Sequence, residues 1–213
     1  MKNSIKTILF DLGGVLLNLD YQKTIDAFIE LGITDFDQLY AKAAQTDLFN
    51  QLETGKIFPR QFMDGIRKMS KIDLKDSEII NAWNAMLLDL PDHRIDFLRR
   101  LCNQYQLLLF SNTNAIHLAA FRKIIQEQHE NAFLLEELFE RTFYSHIAGV
   151  RKPNKDAFQY VLDQEGLNPE EVIFIDDSIQ HVEGAKQVGI HAYHLESGEV
   201  EDLLKSIGIH GDA

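Results

Sequence analysis

The chain contains five short runs of residues that favour β-strands, separated by longer amphipathic stretches. The runs lack the polar alternation of a strand with one solvated face, which is typical of strands covered by helices on both faces. Strands of this kind that alternate with helices predict an α/β fold with a parallel sheet. The predicted strands are Thr7–Phe10, Leu107–Phe110, Arg141–Tyr144, Val172–Ile175 and His191–His194.

The stretch from residue 18 to residue 90 differs from the rest, because it reads as consecutive helices with no strand between them. The predicted helices are Thr24–Leu31, Asp37–Ala44, Pro59–Met69 and Ser77–Leu88. Five aromatic side chains are expected to form the core of this unit and its contact with the main domain: Phe28, Phe36, Phe49, Phe62 and Trp83. The sequence therefore predicts a doubly wound, Rossmann-like core domain of residues 1–17 and 91–213 and an inserted α-helical cap domain of residues 18–90.

Composition limits the partners of the chain. Its 213 residues are 45% hydrophobic, which is enough for a sizeable core, and its formal net charge of −12 disfavours nucleic acid and anionic membranes. No apolar run approaches the roughly 18 residues that span a bilayer. The single cysteine, Cys102, cannot form an internal disulfide, and no leader-like segment opens the chain. We expect a cytoplasmic monomer or homodimer, whose site must supply its own positive charge if the substrate is an anion.

Polar side chains follow the predicted strands, at the edge where ligands bind in parallel sheets. They comprise a carboxylate that can act as a nucleophile, a hydroxyl group beside free backbone N–H groups, an ammonium group and an acidic pair. Phosphoryl transfer to an aspartate requires this set, because positioning and charge neutralisation supply most of its catalysis. In chain order the residues are Asp11, Ser111, Asn112, Thr113, Lys152, Asp176 and Asp177.

The ordered set resembles the four motifs of the haloacid dehalogenase-like hydrolases, with an α-helical cap inserted between the first and second motifs. The matching segments are 10–15, 110–113, 151–153 and 174–178. Within that superfamily, Leu12-Gly13 and the segments 53–57 and 182–185 are most similar to bacterial sugar phosphatases acting on glucose 1-phosphate. The resemblance covers nearly the whole chain. It implies a Mg²⁺-dependent phosphomonoesterase that acts on a small phosphorylated metabolite, such as a hexose 1-phosphate.

The resemblance also implies a catalytic role for three side chains. Asp11 would attack phosphorus and form an aspartyl-phosphate, Ser111 and the Asn112 N–H would bind phosphoryl oxygens, and Lys152 would balance the negative charge. Backbone groups of Gly13 and Gly14 would lie beside the phosphate.

The implied Mg²⁺ site consists of an Asp11 oxygen, the Gly13 carbonyl and Asp177, with water completing the octahedron that this ion prefers. Asp176 and His181 would not bind the ion themselves but would orient these ligands through hydrogen bonds.

Gly13 is the first departure from the family pattern, in which an aspartate at this position protonates the leaving alcohol and then activates water. Such a group is worth about 10²- to 10⁴-fold in rate. Glycine can do neither, so a leaving group that departs readily without a proton loses least. We therefore hypothesise a preference for anomeric sugar phosphates or acyl phosphates over primary alkyl phosphates.

His181 is the second departure, because the family usually has aspartate or asparagine four residues after Asp177. On a helix that begins after Ser178, its side chain is expected to point back toward the strand ends. Three roles stay open: an acceptor for water on the metal, a proton carrier, or a polar residue bonded to a neighbouring loop. Asp20 is a second candidate for the proton-transferring acid, and its other interpretation is a residue at a hinge or at the start of a helix.

Other polar residues have two interpretations each. Glu53, Lys56 and Arg60 of the cap either contact the sugar when the cap closes or are solvated. Arg151 either faces the phosphate or packs on its own loop. A shared metal is not expected between two histidines that face opposite sides of one strand, His191 and His194.

Three alternatives use similar residues. A phosphoacceptor receiver domain has a strand-end aspartate and an acidic pair, but there the pair comes first in the chain. A binding protein could keep the phosphate site with little or no turnover after losing the aspartate at position 13. A 2-haloacid dehalogenase uses the same aspartate against carbon without a metal, and the acidic pair argues against it.

Overall fold

A computed structural model of the chain describes residues 5–35 and 47–211. Five parallel strands form one sheet in the order β3-β2-β1-β4-β5. The strands are β1 (Thr7–Phe10), β2 (Gln106–Ser111), β3 (Arg141–Tyr144), β4 (Val172–Asp176) and β5 (His191–His194). All five predicted strands are confirmed, and β2 and β4 run on to the polar residues at their carboxyl ends.

Helices follow the strands from residue 92 onward and complete the α/β fold. Their bounds are α5 (Asp92–Leu101), α6 (Ala115–His129), α7 (Leu134–Leu138), α8 (Ser145–Ala148), α9 (Lys155–Glu165), α10 (Ile179–Lys186) and α11 (Val200–Ser206), with a 3-10 turn at Pro169–Glu171. Across the described residues, no helix is long and apolar enough to cross a membrane.

The sheet is buried on both faces, as its continuous apolar strands require. Ile8 and Phe10 of β1 join one hydrophobic cluster together with residues of α5, α6 and α11. Leu9 points the other way, into a second cluster with residues of α9 and α10. This alternation follows from the two-residue period of a strand, and it accounts for the nearly continuous apolar run of the central strands, whereas the edge strands β3 and β5 carry the exposed Arg141 and His191.

The residues described between β1 and β2 contain helices that build a third cluster of their own. They are α1 (Tyr21–Glu30), α2 (Leu48–Glu53), α3 (Pro59–Ser70) and α4 (Asp76–Asn84). Phe28, Phe49, Phe62 and Trp83 pack in that cluster as expected. The predicted helix Asp37–Ala44 and Phe36 lie outside the described residues. The short helix α2 was not predicted.

The two connections between these helices and the sheet pair with each other. Leu19 and Leu87 form an antiparallel bridge, and the Asn18 N–H donates to the Asp89 carbonyl at 2.8 Å. Helix α4 therefore ends at Asn84, four residues before the predicted end, because the chain beyond it becomes extended to make this pairing. The boundaries of the cap domain at residues 18 and 90 stay a prediction.

We predict that Gly184→Ala destabilises the protein by about 1–3 kcal/mol, because a Cβ atom there would lie 2.2 Å from the Pro153 carbonyl oxygen. Gly65→Ala is the matched control, since its Cβ atom would meet only the end of the Leu48 side chain. Alanine normally stabilises a helix interior. Thermal unfolding of both variants checks this, and equal melting temperatures would show that α10 does not depend on the close approach.

Candidate active site

Lys152 joins the ends of β1 and β4. Its Nζ atom donates to Asp11 Oδ1 at 2.7 Å and to Asp176 Oδ2 at 2.6 Å. The side chain is fully buried, and its ammonium group lies over the rings of Phe110 and Phe174 at 5.4 and 5.3 Å from their centroids. Burial opposes the charge of Lys152, yet the two carboxylates raise its pKa, so the group stays cationic.

Asp176 has every oxygen engaged. Oδ1 accepts hydrogen bonds from the Ser178 N–H at 2.8 Å and from His181 Nδ1 at 2.9 Å, while Oδ2 accepts from Lys152. Burial opposes ionisation of Asp176, but Lys152 and His181 together lower its pKa to about 2. A carboxylate with these partners orients its neighbours, which suits the supporting role predicted for it. His181 points back to the strand ends, as its spacing predicted.

Three carboxylates meet beside this ammonium group. Oxygen atoms of Asp11, Asp176 and Asp177 all lie within 4.8 Å of one another. Burial raises the pKa of Asp11 to about 7 despite the opposing Lys152, and burial together with Asp176 raises the pKa of Asp177. The single ammonium group thus leaves negative charge unbalanced, and a divalent cation with oxygen ligands fits such a set.

The backbone at Gly14 makes room for Asp177. A Cβ atom at Gly14 would lie 2.2 Å from Asp177 Oδ2, and the residue has a φ of +75°. Its N–H donates to the Leu17 carbonyl at 2.9 Å, and Gly14 does not line the cavity described below. The small size of Gly14 leaves room for Asp177, and its predicted place beside the phosphate stays a prediction.

Gly13 lies at the cavity wall beneath Leu19. A Cβ atom at position 13 would lie 2.6 Å from Leu19 Cδ1. The end of the Leu19 side chain thus lies where a side chain at position 13 would begin, and it would have to shift to admit one. Nothing in the local sequence signalled this contact, because Leu19 is placed by its pairing with Leu87.

Asn112 clamps the backbone of Lys152. Its Nδ2 atom donates to the Lys152 carbonyl at 2.9 Å, and its Oδ1 atom accepts from the Lys152 N–H at 3.0 Å. The sequence assigned the Asn112 backbone N–H to phosphate, and it missed this side-chain role. A second contact that it missed is a hydrogen bond of 2.9 Å from His194 Nε2 to the Asp177 carbonyl.

A cavity of about 720 Å³ opens above these groups, between the sheet edge and the helices inserted after β1. Asp11, Gly13, Ser111, Asn112, Asp177 and His181 line its floor, and its upper wall carries both apolar and polar side chains of α1, α2 and α4. Lys152 and Asp176 lie beneath the floor and are closed off from solvent.

Of the charged residues that the sequence offers for contact with the sugar or the phosphate, only some lie at the cavity. Glu53 and Arg151 line it, whereas Lys56 and Arg60 are exposed elsewhere. Asp20 caps α1 by accepting from the Gln22 N–H at 3.0 Å and does not line the cavity. The structure therefore places Asp20 in the helix-start role.

We predict that Asn112→Asp lowers the free energy of unfolding by about 1–3 kcal/mol, because one donor is lost and a carboxylate oxygen faces the Lys152 carbonyl. Asn103→Asp is the control, since Asn103 is exposed and its amide makes one long hydrogen bond, of 3.4 Å, to the Arg99 carbonyl. Denaturant unfolding measures both. Equal stability of the two variants would contradict the clamp.

The family model for haloacid dehalogenase-like hydrolases matches residues 5–189. A D-ribitol-5-phosphate phosphatase from Bacteroides thetaiotaomicron is 28% identical over 194 residues, covering 91% of this chain and 93% of the relative. A sesquiterpene phosphatase from Aspergillus oryzae is also 28% identical, covering 92% of each chain.

Solved structures agree with this placement. A HAD family enzyme from Bacteroides thetaiotaomicron superposes with a TM-score of 0.86 and 35% identity, covering 95% of this chain and 99% of that one. Its wild-type complex with magnesium and inorganic phosphate superposes with a TM-score of 0.83 at 36% identity, covering 94% and 99%. The chain belongs to the haloacid dehalogenase-like hydrolases, and within them it is a phosphatase that acts on phosphorylated metabolites.

Proposed function

We propose that this phosphatase is a Mg²⁺-dependent phosphomonoesterase whose substrates are sugar or polyol phosphates, with Asp11 as the nucleophile. The meeting of Asp11, Lys152 and Asp177 at one edge of the sheet carries the proposal. Two alternatives share this fold without phosphatase activity: a phosphate-binding protein and a metal-independent dehalogenase. The relatives named above favour neither, because both are phosphatases.

In this proposal Asp11 attacks phosphorus, the bond to the leaving oxygen breaks, and water later opens the aspartyl-phosphate to release phosphate. Lys152 contacts the Asp11 oxygen Oδ1 at 2.7 Å and so orients the other oxygen toward the cavity. Ser111 is the last residue of β2 and Asn112 follows it; both line the same floor, where the Ser111 hydroxyl and the Asn112 N–H can donate to phosphoryl oxygens.

Asp11, the Gly13 carbonyl and Asp177 would hold Mg²⁺ in this proposal. When bound, the ion would supply positive charge against the phosphoryl oxygens and the two carboxylates. The crowded carboxylates and the space left for Asp177 by Gly14 support this ligand set. The enzyme from Bacteroides thetaiotaomicron that superposes on the chain was crystallised with magnesium.

Two observations bear on the leaving group, and each points to a different phosphate ester of a polyhydroxylated compound. Gly13 favours esters that depart without a proton, such as a hexose 1-phosphate, whereas the relative named for D-ribitol-5-phosphate acts on an ester of a primary alcohol. We propose a polyhydroxylated leaving group as the property common to both. Of the groups that line the cavity, His181 stays a candidate proton carrier.

We predict that turnover of a panel of hexose 1-phosphates, hexose 6-phosphates, D-ribitol 5-phosphate, nucleotides and acetyl phosphate requires Mg²⁺ and is abolished by EDTA. Asp11→Asn is expected to lower kcat by about 10³-fold or more, because the nucleophile is lost. Asp202→Asn on the surface helix α11 is the control. Turnover that persists in EDTA, or in Asp11→Asn, would refute the mechanism.

We predict that Gly13→Asp alone gains less activity than Gly13→Asp combined with Leu19→Ala, because a side chain at position 13 first has to displace the end of the Leu19 side chain. Combined with Leu19→Ala, it is expected to speed hydrolysis of glucose 6-phosphate by about 10²-fold, the lower end of the range of about 10²- to 10⁴-fold for a proton-transferring group. Leu19→Ala alone is the control. If the double variant is no faster than this control, proton transfer at position 13 does not limit the rate.

A further inference from the structure

Two oppositely charged side chains meet at the wall of the cavity. Glu53 is the last residue of α2, and Arg151 precedes Lys152 in the loop before α9. Glu53 Oε2 lies 2.9 Å from Arg151 Nη2, and both residues line the cavity. Arg151 is the one lysine or arginine among the described residues that line it. The pair therefore spans the cleft, one partner from each side.

Both partners are fixed in place by their neighbours. Just after Glu53, a Cβ atom at Gly55 would lie 2.2 Å from the His146 carbonyl oxygen, so this turn packs directly on α8. On the other side, the Asn112 amide clamps the residue that follows Arg151. A subsite on fixed elements can select a ligand by geometry.

The pair also has unused hydrogen-bonding capacity. The Glu53 side chain is 21% exposed and the Arg151 side chain 30%, and beyond their ion pair neither Glu53 Oε2 nor Arg151 Nε has a hydrogen bond to the residues described. A carboxylate only accepts hydrogen bonds and a guanidinium group only donates them. A hydroxyl group does both, so neighbouring hydroxyls on one carbon chain match such a pair.

Elsewhere the upper wall combines the polar side chains of Tyr21, Thr24, Asp47 and Asn50 with apolar ones, and it has no second pair of acid and arginine or lysine among the described residues. The apolar side chains are those of Ile25, Phe49, Trp83, Met86 and Leu87. An apolar leaving group would leave the charged pair desolvated without compensating hydrogen bonds, and sites built to bond a hydroxyl reject analogues that lack it. A second anionic group on the substrate would meet the Glu53 carboxylate.

We propose that Glu53 and Arg151 form a subsite for the hydroxyl groups of the leaving group, so that the enzyme selects neutral polyol or sugar phosphates over alkyl phosphates. The subsite rests on the proposed phosphomonoesterase function. It assigns to the pair a specificity role, distinct from the attack on phosphorus at the floor of the cavity.

The test compares D-ribitol 5-phosphate with n-pentyl phosphate, two primary esters with five carbons that differ in their hydroxyl groups. The wild type is expected to have the higher kcat/KM on ribitol 5-phosphate, and Glu53→Gln is expected to reduce the ratio of the two kcat/KM values tenfold or more. Arg151→Gln is expected to reduce it as well. Because each ratio is internal to one protein sample, partial unfolding of a variant cancels.

Glu165→Gln is the matched control, because Glu165 also pairs with an arginine, Arg141, at 3.0 Å but lies away from the cavity. It should keep the wild-type ratio. A proton-transferring or purely structural Glu53 would lower both rates together and leave the ratio unchanged, which would overturn the subsite. So would a wild type without preference for the polyol ester.

Turnover of p-nitrophenyl phosphate with Mg²⁺ separates this test from the proposed function. A wild type that hydrolyses p-nitrophenyl phosphate, yet shows an unchanged ratio in Glu53→Gln, refutes the subsite and leaves the phosphatase proposal standing. A wild type with no Mg²⁺-dependent turnover of any ester in the panel refutes the proposed function, and the subsite falls with it.

Discussion

The buried ammonium group of Lys152 is the interaction on which the site depends. It lies between Asp11 and Asp176, which end two adjacent strands, and without it two carboxylates would be buried side by side with no countercharge. Removing one partner of such a buried group costs more than the pair contributes, since a charge stays behind. The sheet, the loop before α9 and the clamp by Asn112 all serve to place this one atom.

Negative charge remains in excess around that ammonium group, and this excess gives the site its chemistry. Asp176 is satisfied by three donors, whereas Asp11 and Asp177 face the cavity with raised pKa values. The carboxylates that are least satisfied are therefore those that the proposed mechanism uses for the nucleophile and the metal. The satisfied one supports them.

The helices inserted after β1 shape what reaches this floor. Leu19 lies over Gly13, and Glu53 meets Arg151 across the cleft, so the segment inserted after β1 places a side chain at both positions. In our proposals the absence of an acid at position 13 and the selection of the leaving group are therefore features of one cavity, because residues of the inserted segment line it at both places.

The sequence by itself determined the strands, their polar ends and the family. A strand buried on both faces has no polar position, so its short apolar run is visible locally, and the residue that ends it is visible as well. The six-residue helix α2 and the early end of α4 were missed, because a short helix has little periodicity and Leu87 is extended by its pairing with Leu19. Only the tertiary structure placed Leu19 over Gly13 and Asn112 on the Lys152 backbone. Asn112 and Lys152 are distant in the chain, and Gly13 and Leu19 meet because the chain after β1 folds back. The geometry of such contacts is decided by packing and not by the local residue pattern.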